Sequence, residues 1–526
     1  MQLQQESLVE HGWKRVIITV TAVMCALLEI IDTTIVNVAL NEMKGNLGAT
    51  LNDVSWVITA YAIANVIIVP LTSWLSQQFG RRNYFAASII IFTVSSFLCG
   101  NADNIWELVF FRFIQGLGGG ALLVTSQTII TEVYPPEKRG MAQALYGMGV
   151  IVGPTLGPPL GGYIVDNFSW PYIFYINIPI GVVATLLTMS YVKSPNYGGK
   201  KSLGDVDWFG ILFLIMAVGA LQFVLEKGQE HDWFEDGWIV GLSVVAALGV
   251  YLFIWRELVI KNPVVELRVL KDRNLAMGTV LSFILGFGLY GSTFVIPLFT
   301  QNALGWTALQ SGLMLVPSSV ATGLMMPIVG RAIQKDIPHK YLIALGFSVF
   351  FGYSLWAYTI ITPFTGEGDF FWLLMVRGIG LGFLFVPTTT LALSSLKGKE
   401  IGQGAAFTGM VRQLGGSFGI ALISTYISRR TVQHRSDMVN YVTGYSASVQ
   451  QRLAGLKAGF MANGDGAELA SLKALKVIDG MVTKQAALLT YMDVFLGIGL
   501  FFLICVPLVL LLKPAKNKVD MSEVGH

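Results

Sequence analysis

The sequence predicts an all-α polytopic membrane protein with fourteen transmembrane helices, built as two six-helix bundles with an inserted helical hairpin. Three observations lead there. Of 526 residues, 54% are hydrophobic and only 13% charged, about half the charged share of an ordinary soluble domain. The apolar residues gather in runs of roughly 20, the length needed to cross a bilayer. Lysine and arginine are strongly biased to alternate inter-run segments, as retention of basic residues on the cytoplasmic side requires. A soluble multidomain enzyme and a disordered chain are excluded. A net charge of +3 offers nothing to nucleic acid. Cys25, Cys99 and Cys505 lie far apart in apolar runs, so neither a disulfide framework nor a zinc site is implied.

Apolar runs put helices near residues 14–39, 54–77, 84–101, 104–131, 140–165, 171–192, 207–226, 237–256, 275–300, 309–333, 340–362, 370–394, 401–428 and 489–512. The first is too long for a secretory leader, contains Glu29 and Asp32 and lacks a clear small-residue cleavage site. It is kept as a span. With the N-terminus inside, twenty-two of the thirty-five basic residues fall on the cytoplasmic side, and short loops on the other side hold only Lys44 and Lys227. Eight more lie in segment 429–488, and Arg112, Arg377 and Arg412 lie within helices. A missed early span would invert this pattern downstream, so an even number of spans and cytoplasmic termini are expected.

An internal echo divides the chain. A tight turn reads Trp-Leu-Ser-Gln-Gln-Phe-Gly-Arg-Arg over 74–82, and two helices later Arg112 opens Arg-Phe-Ile-Gln-Gly-Leu-Gly-Gly-Gly. The second half offers Gly330-Arg331 and then Arg-Gly-Ile-Gly-Leu-Gly from Arg377. Parallel repeats of six helices are one construction of secondary transporters, with the substrate site between the halves near mid-depth. The expected division is an N-terminal bundle over 1–195, a two-helix hairpin with linkers over 196–270, and a C-terminal bundle over 271–526. Segment 429–488 is the one large extramembrane piece, with helical spacing at about 446–461 and 467–486. In the second stretch Leu469, Leu472, Leu475, Ile478 and Val482 form an amphipathic stripe. It reads as a helical hairpin covering its own bundle or as a docking surface for a partner.

Ionisable groups within spans carry the chemistry. A charge at a helix centre costs on the order of 3 kcal/mol on insertion scales, so it needs a partner or a wet cavity. Glu29 and Asp32, three apart, are expected on one helix face, where burial and repulsion favour proton retention and a nearby cation favours ionisation. The functional reading is proton or substrate coupling; the bland one is a static ion pair locking the first helix to the fourth. Arg112, with Gln115 one turn on, is the expected counter-charge, and a guanidinium can only redistribute hydrogen bonds. Arg377 and Arg412 are read as structural. The fifth helix carries Gly149, Gly153, Pro154, Gly157, Pro158, Pro159, Gly161 and Gly162. Glycines four apart allow close helix approach and prolines kink the helix, making a packing seam or a deformable one between rocking halves.

The run from Gly153 to Gly162 resembles the GPxxGG antiporter signature of the major facilitator superfamily. Leu28-Glu29-Ile-Ile-Asp32-Thr-Thr-Ile-Val-Asn37 is similar to the first-helix motif of its fourteen-helix drug:proton antiporters of the EmrB/QacA type. Arg112 to Gly120 resembles the RxxxG motif, and Asn177-Ile-Pro179-Ile-Gly181 the start of the sixth helix. The long loop before the last helix looks like the EmrB branch. The resemblance covers essentially the whole chain, with one departure: the loop before Gly80, Arg81 and Arg82 has Gln77 where the family's motif has Asp. The resemblance implies the major facilitator fold, Asp32 as the proton-linked acid and Arg112 as its partner, with Glu29 standing where related proteins often carry Gln. A cavity of apolar and hydrogen-bonding groups is expected, with Asn37, Tyr61, Asn65, Gln115, Gln127, Tyr290, Phe294 and Gln413 as candidate substrate contacts.

Glycine patterns at 286–291 and 116–121 fit dinucleotide motifs but follow no strand, and Gly415-Gly-Ser417-Phe-Gly419 lies within an apolar helix, not at a nucleophile elbow. The chain has no GxxxxGK[ST], so a proton gradient, with no cofactor or metal, is the expected energy source. The expected function is proton-coupled multidrug efflux of hydrophobic or amphipathic compounds from a bacterial cytoplasmic (inner) membrane. A periplasmic membrane-fusion adaptor and an outer-membrane channel are candidate partners. An exporter of one dedicated metabolite or lipid-like molecule is the neighbouring reading. A sensor or adaptor would need an appended signalling domain. A hydrolase would need a catalytic cluster, yet the five histidines lie outside the predicted spans.

Overall fold

In the computed structural model, residues 8–195, 207–261, 263–363 and 365–510 are described. Among them no strand occurs, and helices follow one another through short turns. The first six are α1 (Gly12–Asn46), α2 (Leu51–Phe79), α3 (Arg81–Gly100), α4 (Ile105–Val133), α5 (Arg139–Asn167) and α6 (Tyr172–Tyr191). The hairpin is α7 (Trp208–Lys227) and α8 (Gly237–Val259). Then come α9 (Arg273–Asn302), α10 (Leu309–Gln334), α11 (His339–Ile360), α12 (Glu367–Leu393), α13 (Lys399–Val439), α14 (Ala447–Ala462) and α15 (Ala467–Leu510).

Local chemistry sets the ends. Thr50 and Asp53 cap α2 reciprocally, and Asn104 accepts from the Glu107 N–H to start α4. Asp236 starts α8; the Trp238 N–H, and after it the His231 ring, hold its carboxyl below the usual carboxylate range. Gly80, at φ +82°, lets α3 begin directly where α2 stops.

Among the described residues thirteen helices are long and apolar enough to cross a membrane. The fourteenth span is α13, whose hydropathy is lowered by glycines and polar groups but which packs against α2, α4, α9 and α15. Helices α1 to α6 pack on one another, as do α9 to α13 with α15. The two groups meet along α5–α10 and α2–α13, and α7 touches both α2 and α13. The start of α1 lies beside the end of α4 and the end of α6, with the Glu10 N–H donating to the Val133 carbonyl and Lys193 pairing with Glu10, and this marks one face of the array (the terminal face); loops 47–50 and 440–446 lie at the other (the distal face).

The segment expected as a separate piece over 429–488 is differently built. Helix α13 runs on to Val439, and α15 is one helix from Ala467 through the last span. At about 1.5 Å per residue its 44 residues reach roughly 66 Å, twice the hydrocarbon core. Its distal half packs on α14 and on the end of α13, where Arg435 pairs with Asp479 at 2.7 Å. Leu469, Leu472 and Leu475 are exposed, whereas Ala470 and Ala474 are buried. The expected stripe therefore splits: Val482 is buried with the alanines on the packing face, Ile478 is half-buried, and the three leucines remain outside.

Candidate functional site

Asp32 lies midway along α1 and is wholly enclosed, at 0% exposure. Arg112 Nη1 of α4 donates to its Oδ2 at 2.6 Å, while Gln115 Nε2 and Asn177 Nδ2 donate to Oδ1 at 2.9 and 2.8 Å. Ser96 of α3 accepts from Gln115 at 2.7 Å and from Asn177 at 3.3 Å. Thus α4 and α6 donate to the carboxylate of α1, and α3 holds two of the donors. Arg112 also donates through Nε to the Val57 carbonyl of α2 at 3.2 Å and through Nη1 to Gln115 Oε1 at 2.6 Å. Its guanidinium lies 4.1 Å above the Tyr61 ring. Burying two charges is tolerable only when the pair is close and further hydrogen bonds hold it, and here Arg112 Nε and Nη1 and both Asp32 oxygens are engaged. Backbone contact makes it possible: a Cβ on Gly116 would come within 2.6 Å of the Tyr61 carbonyl, so glycine there lets α4 reach α2.

Glu29 answers to other surroundings. Three residues turn a helix by about 300°, leaving side chains roughly 60° apart, and that angle separates the two acids. Asn65 Nδ2 of α2 donates to Glu29 Oε1 at 2.8 Å. Glu29 keeps 4% exposure and lies within electrostatic reach of Arg412 from α13. The Arg412 guanidinium sits 5.2 Å from the Phe385 ring, near Tyr146 and Tyr290. Glu29 therefore stands where the two bundles meet, and Asp32 inside the first. Tyr61 links them, with its ring beneath Arg112 and its hydroxyl against Gly119 beside Glu29.

The remaining candidates disperse. Gln115 belongs to the Asp32 network, Tyr61 and Asn65 to the junction, and Tyr290 packs on Gly416 beside Arg412. Phe294 is half-buried against the hydrophobic core, and Gln413 is half-buried one residue from Arg412. Gln127 is tied to Gln143 of α5 at 3.1 Å, away from the junction cluster, and Asn37 is exposed.

Three motif glycines of α5 face their own bundle. Side chains on Gly153, Gly157 and Gly161 would strike Ile30, Thr34 and Ile35 of α1, while Gly162 meets open space. Pro154 is half-buried. Contact with the other bundle runs along a different line of α5: Gly140 against Gly330, Thr155 hydrogen-bonded to Ser319, and Pro158 against Gly312. At the terminal face Arg81 forms a bidentate, buried pair with Glu132 of α4. Arg82 is exposed, with its N–H donating to Ser194 Oγ at 3.1 Å. Gln77 turns back to Ser73 at 3.3 Å.

Sequence reasoning passed over three contributors. Asn177 was visible as a motif residue, and its lone amide among apolar neighbours was the signal. Glu132 fell one residue beyond the predicted 104–131 helix. Ser96 carried no signal, because serines are common in such helices.

The sequence pattern of the Major Facilitator Superfamily matches residues 22–420. Fatty acid resistance protein FarB of Neisseria gonorrhoeae is 34% identical over 94% of this chain and 96% of its own. Multidrug export protein EmrB of Escherichia coli (strain K12) is 32% identical over 97% and 98%. In fold, the chain is similar to the human organic anion transporter MFSD10 (TETRAN), with a TM-score of 0.57 at 13% identity, covering 94% of this chain and 100% of that one. It is also similar to an inward-facing bacterial homologue of the human lysosomal transporter Spinster, with a TM-score of 0.52 at 16% identity, covering 95% and 98%. The chain belongs to the Major Facilitator Superfamily. It is thus a multi-pass membrane protein of a transporter family rather than an enzyme family, with small molecules as its substrates.

Proposed function

We propose that this protein is a proton-coupled multidrug efflux transporter that exports hydrophobic or amphipathic compounds by alternating access. The observation that carries the reading is the enclosed Asp32 carboxylate, held by Arg112, Gln115 and Asn177, one turn from Glu29 at the junction of the bundles. A proton on Asp32 would cancel its charge and loosen its hold on Arg112. The guanidinium, unable to lose its own proton, would lean on Gln115, the Val57 carbonyl and Tyr61 instead. Glu29, with its margin of exposure at the junction, is the group through which protons reach Asp32.

Substrate binds at the junction, where Tyr61, Asn65, Tyr290 and Phe294 offer aromatic surface and hydrogen bonds. The halves are 1–195 and 271–526, with 196–270 as the insert. The energy source is the proton gradient, worth about 2.3 kcal/mol per charge per 100 mV from the potential alone. The similarity to relatives named for multidrug export supports this reading. The bias of basic residues supports a bacterial cytoplasmic membrane with both termini inside, and a periplasmic adaptor and outer-membrane channel complete the proposed path. A second reading, export of lipid-like amphiphiles, is favoured by the relative named for fatty acid resistance and by the Arg412 guanidinium at the junction. The test is transport in proteoliposomes under an imposed pH gradient, using compounds selected by a growth-inhibition panel in an efflux-deficient host. Asp32→Asn should abolish uphill movement at unchanged protein level, and undiminished uphill export would overturn the assignment.

A further inference from the structure

The inserted hairpin is tied by polar side chains to both bundles at once. At its distal end the buried Lys227 donates through Nζ to Ser55 Oγ in the first turn of α2 and to Glu230 at 2.8 Å. It lies 5.6 Å from the Trp56 ring, which packs on Phe223 with centroids 5.5 Å apart. These contacts hold the first bundle. The opposite arm holds the second: Gln222 Nε2 donates to Ser417 Oγ at 2.9 Å, and Trp233 Nε1 to Thr425 Oγ1 at 2.9 Å, both in α13. Lys227 and Gln222 are almost fully buried, at 2% and 1% exposure. A buried ammonium is costly unless held, so its position is specified rather than incidental. At the terminal end of the same α2–α13 seam the two helices part. There a cleft opens between Ser73, Gln77 and Thr128 of one bundle and Lys399 and Gly402 of the other.

We propose that the hairpin is a strap that closes the distal side of the α2–α13 seam, with Lys227 and the Gln222–Trp233 pair as positioning arms that part when the transporter opens distally. This rests on the alternating-access reading above. Two bundles that rock apart distally cannot keep Ser55 and Ser417 bonded to one helix. One arm must let go, and the exchange sets the balance between the two open forms.

The test is the distance between spin labels at Asn52→Cys and Val432→Cys, exposed positions at the distal ends of α2 and α13. It is measured in purified full-length protein with and without Lys227→Met or Gln222→Leu. Either strap variant should add a longer-distance population absent from the parent at the same pH, and Lys227→Arg should restore the parent distribution. Distributions identical to the parent in both variants would overturn the strap. The parent, measured with Asp32→Asn and with added transport substrate, separates the two failures. A parent that shifts while the strap variants match it refutes the strap alone, and a parent that never shifts refutes alternating access itself. If Lys227→Met does not fold, Gln222→Leu reads the other arm.

Discussion

Replacing Arg112 by lysine keeps the charge and removes the geometry. A lysine ammonium in this pocket can reach Asp32 or Gln115, but not also the Val57 carbonyl that Nε meets at 3.2 Å. It also loses the flat contact 4.1 Å above Tyr61. A hydrogen bond from a charged donor contributes about 1.5–3 kcal/mol, and a desolvated cation–π contact about 2 kcal/mol. Taking the lower ends, with partial compensation by the ammonium, the loss is about 3 kcal/mol, or roughly 100-fold in an equilibrium constant. That loss falls on the conformation in which these bonds exist. Initial rates of pH-driven uptake into inverted proteoliposomes, normalised to protein content, should drop by one to two orders of magnitude for Arg112→Lys. Arg112→Ala, which strands a buried carboxylate at a cost of about 3–5 kcal/mol, should be inactive. Uptake by the lysine variant within threefold of the parent would refute the claim that the guanidinium's fork, rather than its charge alone, supports transport.

Gly116→Ala should lower the melting temperature and transport together, because its methyl would sit 2.6 Å from the Tyr61 carbonyl and overpacking costs about 1–3 kcal/mol; unchanged thermal stability would contradict it. Arg81→Gln and Glu132→Gln should each destabilise the protein in thermal unfolding, and the double variant should lose far less than the sum of the two, whereas additivity would mean the buried pair is not a unit. Exchanging the exposed Leu469, Leu472 and Leu475 for serine should leave proteoliposome transport intact but reduce drug tolerance of intact cells, as an assembly surface requires; unaltered tolerance would remove the partner reading. Gly157→Val should impair folding measured by detergent-resistant yield, since its side chain would strike Thr34, and normal yield would show that α1 and α5 do not need their close approach.

Composition, run length and the bias of basic residues were enough for the class, and helices began and ended within a few residues of expectation except where amphipathic helix continued a span. Helix α15 shows why. Nothing in a sequence marks the bilayer surface inside a continuous helix, so 467–486 read as separate from the last span. The Asp32–Arg112 pair was legible because charges within apolar runs are costly and demand partners. Asn177 and Ser96 were not singled out, because a neutral polar residue in a helix has several inexpensive fates. Glycine spacing in α5 announced close packing but not its partner. Periodicity identifies a face, and only the docked array shows that this face meets α1 while an adjacent line meets α10.

The sequence by itself determined that the chain lives in lipid, that its helices number about fourteen and that the acids and guanidiniums within its spans need partners or water, since bare charge is costly to bury. Tertiary structure decided the rest. It sent Glu29 and Asp32 to different neighbours, exposed the leucines of α15 and drew the hairpin across both bundles. Each of those outcomes depends on which helix stands opposite, a relation between residues hundreds of positions apart that no local pattern encodes.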